Sequence, residues 1–162
     1  MVTSDRIENL KATWGLKLYT LWKIPLLFFV RPKVLCLDEE RCIVEVPFIR
    51  RNKNHLNCMY FGALSIGAEL TGGLWAINVI KKSGKNVSLI FKDFKADFLK
   101  RVEGPAQFRN LQSKDISEFV AKAIETKERM HMTVNVEAFV PSKLGEEVVA
   151  RFNLTLSLKA KE

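Results

Sequence analysis

A chain of 162 residues, 48% hydrophobic and 27% charged, is long enough for one domain that buries most of its apolar surface and too apolar for disorder. Its net charge of +8 admits an anionic membrane or a phosphate-bearing small molecule as partner, whereas nucleic acid has only charge behind it, with no basic–aromatic motif. Three cysteines without C-x-x-C spacing and two histidines exclude a disulfide framework, a zinc site and a Ser-His-Asp triad, leaving free thiols in a reducing, cytoplasmic setting.

The first residues, MVTSDRIEN, lack the basic start and apolar core of a signal peptide. Ile7, Leu10, Trp14, Leu18 and Leu21 then recur three or four apart, which predicts a helix with these residues on one face. Asp5 and Glu8 read as its capping box. The face is expected to pack on its own domain; resting on a membrane surface, as a weak peripheral association, is the alternative. Pro25 ends the pattern, and LLFFV reads as apolar and irregular.

From Arg41 the period changes to two. Cys42, Val44, Val46 and Phe48 alternate with polar neighbours, as on a half-buried strand. The polar loop RRNKNHLN leads into Met59–Ile80, 22 residues whose only charge is Glu69 and which hold glycines at 62, 67, 72 and 73. As a helix it would reach roughly 33 Å, enough for a bilayer core. A carboxylate at mid-bilayer is costly, however, and the half-buried strands on either side need an apolar helix to cover them. The buried helix is therefore the expectation, with no transmembrane segment.

After KKSGKN, Val87, Leu89 and Phe91 alternate. The phase slips at Lys92–Asp93 and resumes with Phe94, Ala96 and Phe98, which predicts a bulge. AQFRNL reads as a short strand, and residues 115–127 read as a helix burying Ile116, Phe119, Val120 and Ala123. Two alternating strands close the chain around the turn PSKLGEE, with Met132–Val140 and Phe152–Leu158 supplying their apolar faces. The pieces make an α+β domain, a curved antiparallel sheet wrapped around one long helix.

A carboxylate inside an apolar helix is paired, partly exposed at a subunit contact, or functional. Upstream of it, the helix begins near Tyr60–Phe61–Gly62, where backbone N–H groups are unpaired and suit an anion or oxyanion. Asn54 and His55 lie in the loop just before, and Arg51 and Lys82 fall in the basic clusters flanking the segment.

The run NHLNCMYFGALSIGAELTGG resembles the central-helix signature of hotdog-fold thioesterases of the phenylacetate (PaaI-like) type. Within that group it is most similar to a less characterised branch known as a domain of unknown function. The family pattern is an Asn, a His-Gly-Gly six residues on, and an acid nine residues after that His. Here those places hold Asn54, Tyr60-Phe61-Gly62 and Glu69. The resemblance implies a hotdog domain over 35–162; the N-terminal helical extension, 1–34, lies outside the family's usual core and is expected, from its apolar face, to pack on that domain. The resemblance also implies hydrolysis of acyl-CoA without metal or cofactor, coenzyme A entering as part of the substrate, at the interface of a homodimer or homotetramer. It implies that the Gly62 N–H polarises the thioester carbonyl, that Glu69 from the other subunit is general base or nucleophile, and that Asn54 orients water or carbonyl.

Tyr60 stands where the family has His and Phe61 replaces its first Gly. A phenol still donates a hydrogen bond, and Phe61 narrows the approach. Substrate contacts are expected from His55, Phe61, Ser88 and Asp97, and phosphate contacts from Arg51 and Lys82. A non-catalytic acyl-CoA or lipid-binding protein is the alternative function.

Overall fold

The computed structural model describes residues 2–161, with side chains from 7 to 161. Helix α1 (Val2–Lys23) is followed by a short α2 (Pro25–Val30), strands β1 (Lys33–Leu37) and β2 (Cys42–Val46), and a 3-10 turn at Arg50–Asn52. The long helix α3 (Phe61–Ser83) comes next, then β3 (Val87–Phe98), β4 (Ala106–Asn110) and α4 (Ser113–Thr126). Strand β5 (Met130–Phe139), a single turn α5 (Pro141–Leu144) and β6 (Val148–Ala160) complete the chain. All six strands form one antiparallel sheet in the order β1-β2-β4-β5-β6-β3.

Small residues let α3 lie directly on this sheet. A Cβ added at Gly67 would stand 2.4 Å from the Phe108 ring on β4, and one at Gly72 would stand 3.2 Å from Val134 on β5. Ala63, Ala68 and Ala76 are buried with them, so the helix backbone sits where side chains would ordinarily intervene. The helix ends at Gly84, whose positive φ of 66° forms a left-handed cap. By length and composition α3 is the one helix among the described residues that could cross a membrane, but its sheet-facing side is sealed in the core.

The phase slip in the sequence is a bulge. Phe91 pairs with Leu156 and Phe94 with Leu154, so three steps on β3 match two on β6. Lys92 and Asp93 absorb the extra residue, which returns Phe94, Ala96 and Phe98 to the face that Phe91 occupies. That face looks toward α3. Helix α4 packs beside α3 as its apolar period predicts, and the Trp75 indole N–H donates to Ser117 Oγ at 2.9 Å.

The N-terminal region departs from the sequence reading in three ways. Helix α1 begins at Val2, so Asp5 lies inside its first turns and not at a cap. The LLFFV run is helical, with Pro25 at its first position, where its missing N–H costs nothing. Above all, α1 packs on the domain through the opposite face from the one expected. Thr13, Leu16 and Thr20 are buried, while Ile7, Leu10, Trp14, Leu18 and Leu21 are exposed.

The cause is the sheet edge. Strand β1, which periodicity did not reveal, is terminal in the sheet and needs partners for its outer backbone groups. Thr13 Oγ1 accepts from the Val34 N–H at 3.0 Å, and Asn9 Nδ2 donates to the Leu35 carbonyl at 2.7 Å. A polar helix face serves that edge better than an apolar one.

Candidate functional site

The start of α3 is held by its preceding loop. The Met59 N–H donates to the Val102 carbonyl at 2.7 Å, and the Tyr60 N–H to the Asn52 carbonyl at 2.8 Å. Asn52 is itself buried, and its side-chain amide donates to the carbonyls of Val30 and Pro47, both at 2.9 Å. This residue ties α2, the end of β2 and the start of α3 together. Sequence reasoning missed it, because nothing separates Asn52 from Asn54 or Asn57 in a polar loop. Asn52→Ala is expected to cost about 1–3 kcal/mol by orphaning the buried Val30 carbonyl and leaving the Pro47 carbonyl only its Ile49 N–H donor, read as a lowered melting temperature.

Asn54 is occupied locally. Its Oδ1 accepts from the N–H groups of Leu56 and Cys58 at 2.9 and 3.1 Å, closing the loop in which Asn57 takes a left-handed φ of 58°. Only its NH2 group remains without a partner among the described residues. His55 is exposed on the same loop.

At the helix N-terminus, the N–H groups of Phe61 and Gly62 have no acceptor among the described residues. The Tyr60 ring folds back so that a Cβ at Gly62 would meet it at 2.5 Å, and it tilts against the Phe61 ring at a centroid distance of 4.8 Å. Glycine at 62 thus leaves room for the Tyr60 ring.

Glu69 lies seven residues further along the same helix face, roughly 10 Å down the axis. It opens into a groove of about 490 Å³ between α3 and β3, whose walls include Phe61, Ile66, Phe91, Phe94, Phe98 and Leu154. The carboxylate is half-buried and forms no ion pair among the described residues. Burial among these rings pushes its pKa above the usual carboxylate range. The groove's other polar side chain, Ser65, spends its hydroxyl on the Phe61 carbonyl at 3.0 Å. A lone carboxylate with a raised pKa in an apolar cleft is a stronger base than a solvent-exposed one.

Several residues expected at the site lie elsewhere in the protomer. Asp97 alternates with the groove-lining Ala96 and Phe98, so it faces away, and it pairs with Lys95 at 3.7 Å. Ser88 precedes the groove-lining Phe91 by three residues, roughly 10 Å along the strand, and alternates onto the opposite face. Lys82, at the far end of α3, caps the Trp75 ring at 5.8 Å and is roughly 30 Å from Gly62. Arg51 lies at the near end, stacked on Phe29 at 4.8 Å. One bound coenzyme A cannot meet Arg51 and Lys82 of the same protomer. A smaller cavity of about 270 Å³ contains Lys100, Arg101, Glu103 and Lys143, but Lys100 pairs with Glu147 and Lys143 with Glu103. Arg101 alone is left there for an anion.

Two of the three thiols are poor nucleophiles. Cys42 is fully buried and its pKa is driven far up by burial; Cys36 is raised by burial and by its hydrogen bond to Asp38. No three His, Cys, Asp or Glu among the described residues are grouped to hold a metal ion.

A family model described as a domain of unknown function, DUF4442, matches residues 13–158. No curated protein matches the sequence. Among solved structures, a protein of unknown function from Chlorobaculum tepidum superposes with a TM-score of 0.80 at 12% identity, covering 94% of this chain and 97% of that one. A Pseudomonas aeruginosa protein described as a probable thioesterase gives 0.73 at 19%, covering 92% and 96%. A Haemophilus influenzae thioesterase gives 0.61 at 13%, covering 88% of each chain. Identities this low carry the fold, which is the hotdog fold, and leave chemistry to the residues.

Proposed function

The chain belongs to the DUF4442 family of hotdog-fold proteins, and on that premise we propose that it hydrolyses acyl-CoA thioesters at a site shared by two subunits. The observation that carries this reading is Glu69, an unpaired, half-buried carboxylate with a raised pKa in an apolar groove. In the reaction, Glu69 takes a proton from water as the water oxygen attacks the thioester carbonyl. The oxyanion is met by the Gly62 N–H at the positive end of α3. The tetrahedral intermediate then expels the CoA sulfur, which leaves as a thiol with the proton returned by Glu69, and the acyl group departs as a carboxylic acid.

Helix geometry argues for two subunits. The roughly 10 Å between Gly62 and Glu69 on one helix is too far for both to touch one carbonyl. Two α3 helices running antiparallel across a two-fold axis would bring Gly62 of one subunit to Glu69 of the partner subunit. Asn54 would turn its free NH2 group toward the carbonyl or water, and the Tyr60 hydroxyl is the second donor. A non-catalytic acyl-CoA-binding role is the alternative, and the exposed Phe61 ring beside the groove favours it by restricting entry.

The groove's apolar walls predict the substrate trend. Each acyl methylene buried there contributes about 0.8 kcal/mol, so kcat/KM is expected to rise about fourfold per added methylene from acetyl-CoA until the groove is full. Thiol release across a series of straight-chain acyl-CoAs measures this. Acetyl-CoA as the preferred substrate would remove the groove from the account, and saturable binding of every acyl-CoA without thiol release would establish the non-catalytic role.

A further inference from the structure

We infer that α1 and α2 form an interfacial anchor that lays this domain on an anionic phospholipid surface. At 100° per residue, Leu10, Leu21, Trp14, Ile7, Leu18 and Trp22 sweep one side of α1, directly opposite the buried Leu16 and Thr20. Trp14, Leu18 and Trp22 are 62%, 60% and 82% exposed, and on α2 Leu26 and Phe29 are 63% and 50% exposed. So much adjoining apolar surface is far more than a soluble monomer leaves in water.

The charge around it identifies the occupant. From Arg6 to Lys33, six basic residues stand against one acidic residue, Glu8. Lys11 and Lys17 project from within and beside the apolar stripe, the Lys17 ammonium 4.9 Å from the Trp14 ring centre, and Arg51 stacks on Phe29 at the α2 end. A second copy of this chain docking symmetrically would press like charges together and bury these lysines, which interface cores disfavour. A bilayer interface suits every part. Leucines and rings enter the acyl boundary, indole N–H groups meet the headgroups, and long basic side chains reach up to lipid phosphates.

The polar face toward β1 and the apolar face toward solvent also explain each other. Thr13 and Asn9 serve the sheet edge, which frees the apolar side for lipid.

The test is co-sedimentation of the full chain with large vesicles of phosphatidylcholine alone or with about 30% phosphatidylserine. Binding to the anionic vesicles is expected to exceed that to the neutral ones by at least tenfold, since each basic residue at such a surface strengthens binding about fivefold. Leu18→Glu with Trp22→Glu should abolish it, and Lys11→Glu with Lys17→Glu should weaken it at least tenfold. All four positions avoid the buried face of α1, so thermal unfolding is the check that each variant folds. Absence of binding to anionic vesicles, or binding that the apolar substitutions leave unchanged, overturns the inference. It is equally overturned if wild type ignores lipid and the same substitutions dissociate a dimer on gel filtration, which would assign the face to a second copy.

Discussion

Glu69→Gln is expected to lower thioester turnover about a thousandfold, within the range that a positioned general base supplies. The substitution preserves the shape and most of the polarity of the side chain but can neither accept the water's proton nor attack the carbonyl. Because Glu69 is half-buried and has no ion pair among the described residues, no partner is orphaned by the change. The fold should gain from it at neutral pH. Burial raises the folded-state pKa of this carboxyl, so the protonated form is favoured in the folded state. The stability tied to Glu69 is fully present below its unfolded pKa of about 4.3 and is lost as pH rises through the raised folded value. Glutamine carries no charge at any of these pH values. The variant should therefore melt above wild type at pH 7, and the difference should close toward pH 4. Loss of activity together with gain of stability marks a carboxylate kept for chemistry; loss of both would mark a structural one.

Gly67→Ala is expected to be the most disruptive single methyl in the protein. Its Cβ would come within 2.4 Å of Phe108 Cε2, and Phe108 is fully buried, with its ring packed on Phe152 at a centroid distance of 6.1 Å. Neither ring can withdraw into solvent. Overpacking of this kind costs about 1–3 kcal/mol and exceeds the helix-propensity gain of about 1 kcal/mol. With a net cost of up to about 2 kcal/mol, the melting temperature should fall by up to about 8 °C for a domain of this size. Glu69, two residues on, would move with the displaced backbone, so kcat should fall as well. Gly15→Ala is the control of opposite sign. It lies on α1 with nothing within 4 Å of the new methyl, so propensity alone acts and stability rises by about 0.5–1 kcal/mol. Equal melting temperatures for the two variants would show that the close approach of α3 to β4 does not hold.

What was legible in the sequence follows from which residues carry a period. The β3 bulge could be read to the residue because Phe91 and Phe94 break an otherwise strict alternation. The buried α3 helix could be told from a membrane span because flanking strands needed cover. Strand β1 could not be read, since only Val34 of its five residues is fully buried and no alternation emerges. The orientation of α1 was misread for a related reason. Periodicity points to the most apolar face, whereas the sheet edge selected the face carrying Asn9 and Thr13.

At the site, Glu69 and Gly62 stood out because each is anomalous in its surroundings. Asp97 and Ser88 do not line the groove of their own protomer, because strand phase decides which side chains of β3 face it. Asn52 stayed hidden because its importance lies in which carbonyls it meets across the fold, Val30 and Pro47, and these are contacts that no local pattern encodes.

The most direct test of the account is the pH dependence of kcat/KM for thiol release from a medium-chain acyl-CoA. Glu69 must be ionised to accept a proton, so the rate should be low in acid, climb as pH passes through its raised pKa, and level off above it. The midpoint is predicted to lie above that of an ordinary solvent-exposed carboxylate, and Glu69→Gln should flatten the profile at the residual rate. Turnover that is independent of pH through this window, or a Glu69→Gln profile matching wild type, would contradict Glu69 as the catalytic base.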